Sequence, residues 1–572
     1  MNAKSFLSVA AATLLSMTAG LDSDACTNVI ITPGASADGS SMVSYAADSH
    51  ALFGELYFHP AADWKIGSRL RVVDWDSQKY LGEIAQAAHT YKTVGNMNEH
   101  QLVIGETTYG GREELYNPEG IVDYGSLIYI TLQRAKTARE AIQVIVSLCE
   151  EYGYASEGES FSIADPKEAW VMDLIGKGPG RKGLLYVARR IPDGYICAHA
   201  NQARIRQFPL DDPENCIYDP EVISFARSKG WFSGADKDFS FCDAYCPIDF
   251  GEVRGCDARA WSAFNILCDG KFTYIDDNGR EVTADADNWL DYAMGYNLGH
   301  RMPLFVKPSR KITVKDVADV MRDHYEGTPM DMTTDIGAGG NALPYRWRPM
   351  GFEHDGKSYI NERAIATQQT GFWFVGQSRS WLPDVVGGVI WFGTDDAATS
   401  YVTPIYTNTD AVPECFREGN GDMLHYSPTS AFWMCNRVTN ACYKMYNQMA
   451  PVVREKIDAF ENDQMNVKLK ANDEKLMALY GKGGKAAEKK VRKAATAYSV
   501  ETAQKQFADW VALEEMLLVK FIDGNVKGQN PDGSFKHSEH SKGLPGEIIQ
   551  PGYTDKWKEA VAKDHGSVIE EK

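Results

Sequence analysis

The chain has 572 residues, 44% of them apolar, with 13 Trp. That supplies a large core, exceeds one ordinary folding unit and excludes a disordered protein. A formal net charge of −19 argues against nucleic-acid binding, which needs clustered Lys and Arg to neutralise phosphates.

In chain order, Lys4 is followed by an apolar run from Phe6 to Gly20, then by Ser23 and Ala25 as small residues before a cut. This pattern predicts a signal peptide over residues 1–25 and export of the mature chain. The run is rich in Ala, Ser and Thr, and nothing downstream approaches ~18 consecutive apolar residues, so no membrane span is expected. Cleavage after Ala25 makes Cys26 the first residue. A Cys in that place is also where a bacterial lipoprotein is lipidated, but the preceding Ser23, Asp24 and Ala25 depart from the Leu and small uncharged residues of such signals.

All 11 cysteines fall at or after Cys26. An odd count in an exported protein leaves one thiol over, and Cys26 is the natural one. Cys242 with Cys246, Cys256 with Cys268, and Cys435 with Cys442 are possible disulfides, with connectivity left open. A zinc site among Cys242, Cys246, Cys256 and Cys268 is disfavoured because no pair has the two-residue gap of zinc ribbons. Neither a phosphate loop nor His-Glu-x-x-His occurs, so no metal or cofactor is expected.

Thr27 to Thr32, a turn rich in Gly, Ala, Ser and Asp, and Ser40 to Ala47 predict a hairpin that returns Asp48 towards Cys26. Leu102 to Gly105 reads as a strand. Two helices follow, the second with Thr137 and Glu140 as a capping box and Gly153 as its stop. Ser160 to Asp165, Ala169 to Ile175, Leu185 to Arg190 and Gly194 to Asn201 read as strands. A helix begins at Thr313, and Gly387 to Phe392 with Ser400 to Tyr406 form a late hairpin. From Val452 the chain turns rich in Lys, Glu and Ala, broken at Gly481 to Gly484, and predicts helices such as Ala503 to Phe521. The expected fold class is α+β with mostly antiparallel sheet, divided into residues 1–25, 26–450 and a helical extension, 451–572.

A thiol is only partly ionised near neutrality and needs a base. An N-terminal cysteine carries one, since its α-amine has a reference pKa of about 7.7 to 8.0 and can take the thiol proton and return it to a leaving amine. None of the 12 histidines falls in a recognisable Cys-His signature.

Cys26-Thr-Asn-Val-Ile-Ile, Ala-Ser-Ala-Asp-Gly-Ser and Ala-Ala-Asp48-Ser resemble the start of dipeptidase A-type cysteine peptidases, which are N-terminal-nucleophile hydrolases. The resemblance continues through Gly105-Glu106-Thr107-Thr108, Ala200-Asn201-Gln202, Tyr325-Glu326-Gly327-Thr328-Pro329 and Gly387-Gly388-Val389-Ile390-Trp391-Phe392. It implies a four-layer αββα sandwich and a small peptide substrate attacked by Cys26. It also implies that Asp48 orients the α-amine, that Asn201 donates to the oxyanion and that Arg259 favours the thiolate. Tyr45 stands where relatives commonly carry Arg. Thr107 or Thr108 falls where some relatives place a further oxyanion donor. A dipeptidase must recognise an ammonium and a carboxylate at a short separation, and Glu106 is the candidate for the first, Arg112 or Arg379 for the second.

The ordinary alternatives are a turn-capping Asp48, an Asn201 bonding its own loop and solvated or structural roles for the other charges. Two other functions remain: an amidase of the same fold acting on acylated amino acids or bile-salt-like conjugates, and a surface lipoprotein lipidated at Cys26 with a binding role.

Overall fold

The computed structural model describes residues 26–572, and the expected signal peptide lies outside the described residues. The chain is α+β. Its first hairpin joins β1 (Thr27–Ile31) to β2 (Ser41–Asp48), with Thr27 opposite Ala46. β3 (Val103–Tyr109) precedes α1 (Tyr124–Leu132) and α2 (Ala138–Tyr152). The start of α2 is as expected in part: Thr137 accepts from the Glu140 amide, but Glu140 reaches back to the Lys136 amide rather than to Thr137. Gly153 ends the helix at φ 78°, a left-handed conformation that costs glycine nothing.

Four strands follow: β4 (Gly158–Ala164), β5 (Ala169–Gly176), β6 (Leu184–Arg190) and β7 (Ile196–His199). β6 and β7 are consecutive but belong to different sheets. Later come α3 (Ala258–Leu267), α4 (Val314–Val320), β8 (Thr370–Ser378), β9 (Gly388–Thr394) and β10 (Thr403–Tyr406).

One antiparallel sheet runs in the order β7-β1-β2-β8-β9-β10. The other has β6, β5, β4 and β3 at its centre, flanked by Cys216–Tyr218 and by three two-residue strands. Alternation along each strand explains the packing. Ile30 and Val43 of the first sheet pack with Val103, Val171 and Val187 of the second. Val29, Ile31 and Met42 turn the other way, onto Trp261 and Phe264 of α3 and Val317 of α4. On the second sheet Ile104, Phe161 and Met172 face Leu127 of α1 and Ile142 and Ile145 of α2. A Cβ at Gly105 would lie 2.9 Å from Nδ2 of Asn28 and 3.3 Å from the Cβ of Tyr45, so glycine there lets β3 approach β1 and β2 closely.

The C-terminal region is helical to residue 520 through α5 (Ala431–Cys442), α6 (Tyr446–Asp463), α7 (Leu469–Tyr480) and α8 (Lys485–Lys520). Gly481 and Gly484 separate the last two at positive φ. These helices are built into the body: Val491 and Ala495 share a core with β1 and β8, and Trp510 and Leu513 share one with Ile30 and Val43. Beyond residue 525 the expected all-helical extension gives way to short strands such as Ser541–Pro545, followed by a helix over Asp555–His565. Turn-rich sequence, as in Asn530-Pro531-Asp532-Gly533, explains the change. All 11 cysteines are free thiols, so none of the three possible disulfides forms.

Arg379 follows β8 at the end opposite to Thr370, which pairs with Asp48. It is buried, bonds the Val386 and Gly387 carbonyls and pairs with Asp473 of α7 at 2.5 Å. Its donors hold α7 to the sheet, and it is not at the Cys26 end. Removing one partner of a buried ion pair typically costs about 3 to 5 kcal/mol. Arg379→Met is therefore expected to lower unfolding stability by about 3 kcal/mol in denaturant titration, with activity per folded molecule unchanged.

Candidate active site

Cys26 begins the edge of β1 and is buried. Its backbone nitrogen donates to Oδ1 of Asn201 at 2.8 Å. Asn201 lies just beyond β7, whose His199 pairs with Asn28, and takes φ 52°, a left-handed conformation that Asn tolerates better than most residues. Its Nδ2 donates to the Thr108 carbonyl at 2.6 Å. The amide oxygen thus holds the Cys26 nitrogen, and one N–H of the amide nitrogen bonds β3.

Arg259 of α3 completes the grip. Nη1 donates to the Cys26 carbonyl at 2.6 Å and to Oγ1 of Thr27 at 2.8 Å, Nη2 to Oδ1 of Asn201 at 2.9 Å, and Nε to the Gly255 carbonyl at 2.9 Å. Burial and the nearby Arg363 push its pKa down from the ordinary arginine value. Its contact is with the backbone of Cys26, so it fixes the position of the residue more directly than it pairs with the thiol.

The thiol sits among acceptors. Sγ is 3.4 Å from Oε1 of Glu106 and 3.7 Å from the Tyr45 hydroxyl, which itself donates to Glu106. Burial, Glu106 and Asp48 push the thiol pKa well up, while the Asp48 amide and the Tyr45 hydroxyl pull it down. The thiolate is therefore disfavoured here, and the Tyr45 hydroxyl, whose proton goes to Glu106, stands where an Arg would supply a charge.

Asp48 is fully buried, but its carboxylate does not reach the Cys26 nitrogen in a hydrogen bond. Oδ1 accepts from Thr370 at 2.6 Å and Oδ2 from Arg363 at 2.6 Å. Burial raises its pKa, opposed first by Arg363. The carboxylate thereby links β2 to the segment before β8. Arg363 was not singled out in the sequence: a lone Arg before Ala364-Ile365-Ala366 carries no motif. The Tyr325 motif acts at a distance, through a 2.6 Å hydrogen bond from the Tyr325 hydroxyl to the Arg363 carbonyl.

The threonines are also committed. Oγ1 of Thr107 lies 2.8 Å from Nδ1 of His199, which burial and Arg204 hold neutral with a pKa near about 3. Oγ1 of Thr108 donates to Glu159 at 2.9 Å. Arg112 donates through Nε to the Ala244 carbonyl at 2.6 Å and lies over Trp231 at 4.0 Å. Arg112 is thereby held by Ala244 and Trp231. Cys26, Asn201, Arg259, Glu106 and, through its amide, Asp48 come together; Arg112 and Arg379 do not.

Residues 59–459 match peptidase family C69, and the chain belongs to that family and is a peptidase. It is similar to a dipeptidase of Bifidobacterium longum, at 23% identity over 552 residues, covering 89% of this chain and 90% of the relative. It is also similar to probable dipeptidases of Salmonella dublin, at 24% over 410 residues (67% and 81%), and of Latilactobacillus sakei, at 23% over 429 residues (70% and 78%).

The Asp48–Arg363 pair gives a pH test. An adjacent Arg lowers an Asp pKa by about 1 to 3 units, so Arg363→Leu keeps Asp48 protonated to higher pH. The titration of the Asp48 carboxyl is expected to move upward by at least about one unit, measured by carbon-13 NMR of the labelled aspartate.

Proposed function

We propose that the chain is a dipeptidase of the N-terminal-nucleophile type, exported and activated by removal of residues 1–25. The observation that carries this reading is the grip on Cys26: a backbone nitrogen already bonded to Asn201, and a thiol 3.4 Å from a buried carboxylate. Two antiparallel sheets with helices against both outer faces support an αββα assignment.

Cleavage turns the Cys26 nitrogen into an amine that keeps Asn201 as an acceptor. The free amine takes the thiol proton, the thiolate attacks the scissile carbonyl carbon, and the same ammonium returns the proton to the leaving amino group as the peptide bond breaks. Water then attacks the thioester carbonyl, the amine accepts its proton, and the thiol is regenerated. In a dipeptide the substrate ammonium is one carbon from the scissile carbonyl, so its partner must lie beside the nucleophile. Glu106 meets that demand.

For the substrate carboxylate we assign Arg348, since neither earlier candidate is at hand. Its Nε donates at 3.0 Å to Gln369, whose Nε2 donates at 3.0 Å to the Asp48 carbonyl, which ties it to the strand end beside the thiol. A partner that demands a free ammonium favours a dipeptidase over an amidase acting on acylated amino acids. The burial of Sγ against Tyr45 and Glu106 leaves little room for a thioether-linked lipid, which disfavours the lipoprotein reading.

Mass spectrometry of the mature protein is expected to find unmodified Cys26 at the N-terminus; a diacylglyceryl adduct would overturn the proposal. Cys26→Ala should abolish hydrolysis in a folded protein, and N-acetylated dipeptides should not be turned over. Arg348→Ala should raise KM for free dipeptides at least about tenfold, the order expected for one charge-assisted contact, with a smaller effect on kcat.

A further inference from the structure

Among the buried acids that the proposed mechanism does not use, Glu159 lies next to Glu106. Glu159 of β4 lies opposite Thr108, and Glu106 lies opposite Phe161, so Glu106 and Glu159 are diagonal neighbours on the same face of the paired strands. Glu159 is fully buried; its Oε2 accepts from Thr108, and its Oε1 has no hydrogen-bond partner. Among the described residues no ion pair includes Glu159. Its side chain is within hydrogen-bonding reach of Glu106, and two carboxylates cannot bond one another without a proton between them. Both ionised, they would place two like charges in an apolar site under α1 and α2, which is costly.

We propose that Glu106 and Glu159 hold one proton between them, carried mainly by Glu159, so that the pair presents a single negative charge to the Cys26 thiol and to the substrate ammonium. Glu159 is then a positioning residue: it touches neither the thiol nor the substrate and acts by fixing the charge and orientation of Glu106. The assignment of the ammonium to Glu106 rests on the dipeptidase reading, but the shared proton does not.

The groups facing the pair agree. Burial raises the Glu159 pKa well above the glutamate range, followed by Glu106, and opposed by Thr108 and the Ser160 amide. Among the described residues the neighbouring elements bring neutral hydroxyls and the thiol, from Tyr45 of β2, Tyr109 of β3, Tyr124 and Tyr129 of α1, Tyr154 and Cys26, to which cleavage would add the Cys26 α-amine. The sign for stability follows. The native state keeps a proton that the unfolded chain has lost above about pH 4.3, so stability falls as pH rises from there until the native pair ionises.

The experiment is infrared titration of the mature enzyme in deuterated buffer from about pH 6 to about pH 9, run beside thermal unfolding and kcat/KM on a free dipeptide. A protonated-carboxyl band is expected at neutral pH, absent in Glu159→Gln. That variant should also flatten the fall of the thermal midpoint with pH and remove any alkaline decline of kcat/KM that coincides with loss of the band. No band in the wild type would overturn the proposal, as would a band that survives in Glu159→Gln and vanishes in Glu106→Gln. Should the enzyme not cleave dipeptides, the infrared and unfolding readouts still decide the shared proton, so the two readings fail separately.

Discussion

A single buried guanidinium holds the beginning of the described chain in place. Arg259 spends its donors on the Cys26 carbonyl, the Thr27 hydroxyl, the Asn201 amide oxygen and a carbonyl of its own helix start. A planar fork of this kind fixes direction as well as position, which a lysine would not do. With it the strand start, the loop after β7 and α3 become one unit, and the nitrogen and sulfur that the proposed reaction would use belong to a residue with little freedom left. Such preorganisation of a nucleophile and its base is where a large part of a rate enhancement originates.

The surroundings of the sulfur are acidic and neutral rather than basic. Glu106 is in contact, Asp48 is close, and Tyr45 contributes only a hydroxyl. The positive charge that would favour a thiolate is held two or more bonds away, on backbone-directed Arg259 and on Arg363 behind Asp48. On the proposed reading, the α-amine of a cleaved chain would be both the base and the local cation. A site of this electrostatic composition is suited to a substrate that brings its own positive end.

What could be read in the sequence was largely what is local. The hairpin from Thr27 to Asp48, the Thr137 cap, the Gly153 stop and the break at Gly481 to Gly484 are set by turn residues and periodicity within a few positions, and the strands and helices formed there. Cys26, Glu106 and Asn201 were reachable because motif order carried them, and Arg259 only through the looser family resemblance. Partners across long separations were not: Arg363 meets Asp48 across 315 positions, and Glu159 meets Glu106 only through strand register. Partners on neighbouring segments were not legible either, as for the Asn201 amide nitrogen on Thr108 and Arg112 on Ala244. Thr107 shows the same thing, its hydroxyl taken by a histidine that is itself buried and neutral.

The strand that carries Cys26 is bordered by β2, its immediate neighbour in the chain, and by β7, some 170 residues later, while Asp48 is closed off only by Arg363 and Thr370. Loop closure over such distances is slow and comes after local pairing. During synthesis and any passage across a membrane, the first hairpin can form while its reactive end is still incomplete. The surroundings of Cys26 are thus complete only when nearly two thirds of the polypeptide is available to enclose it.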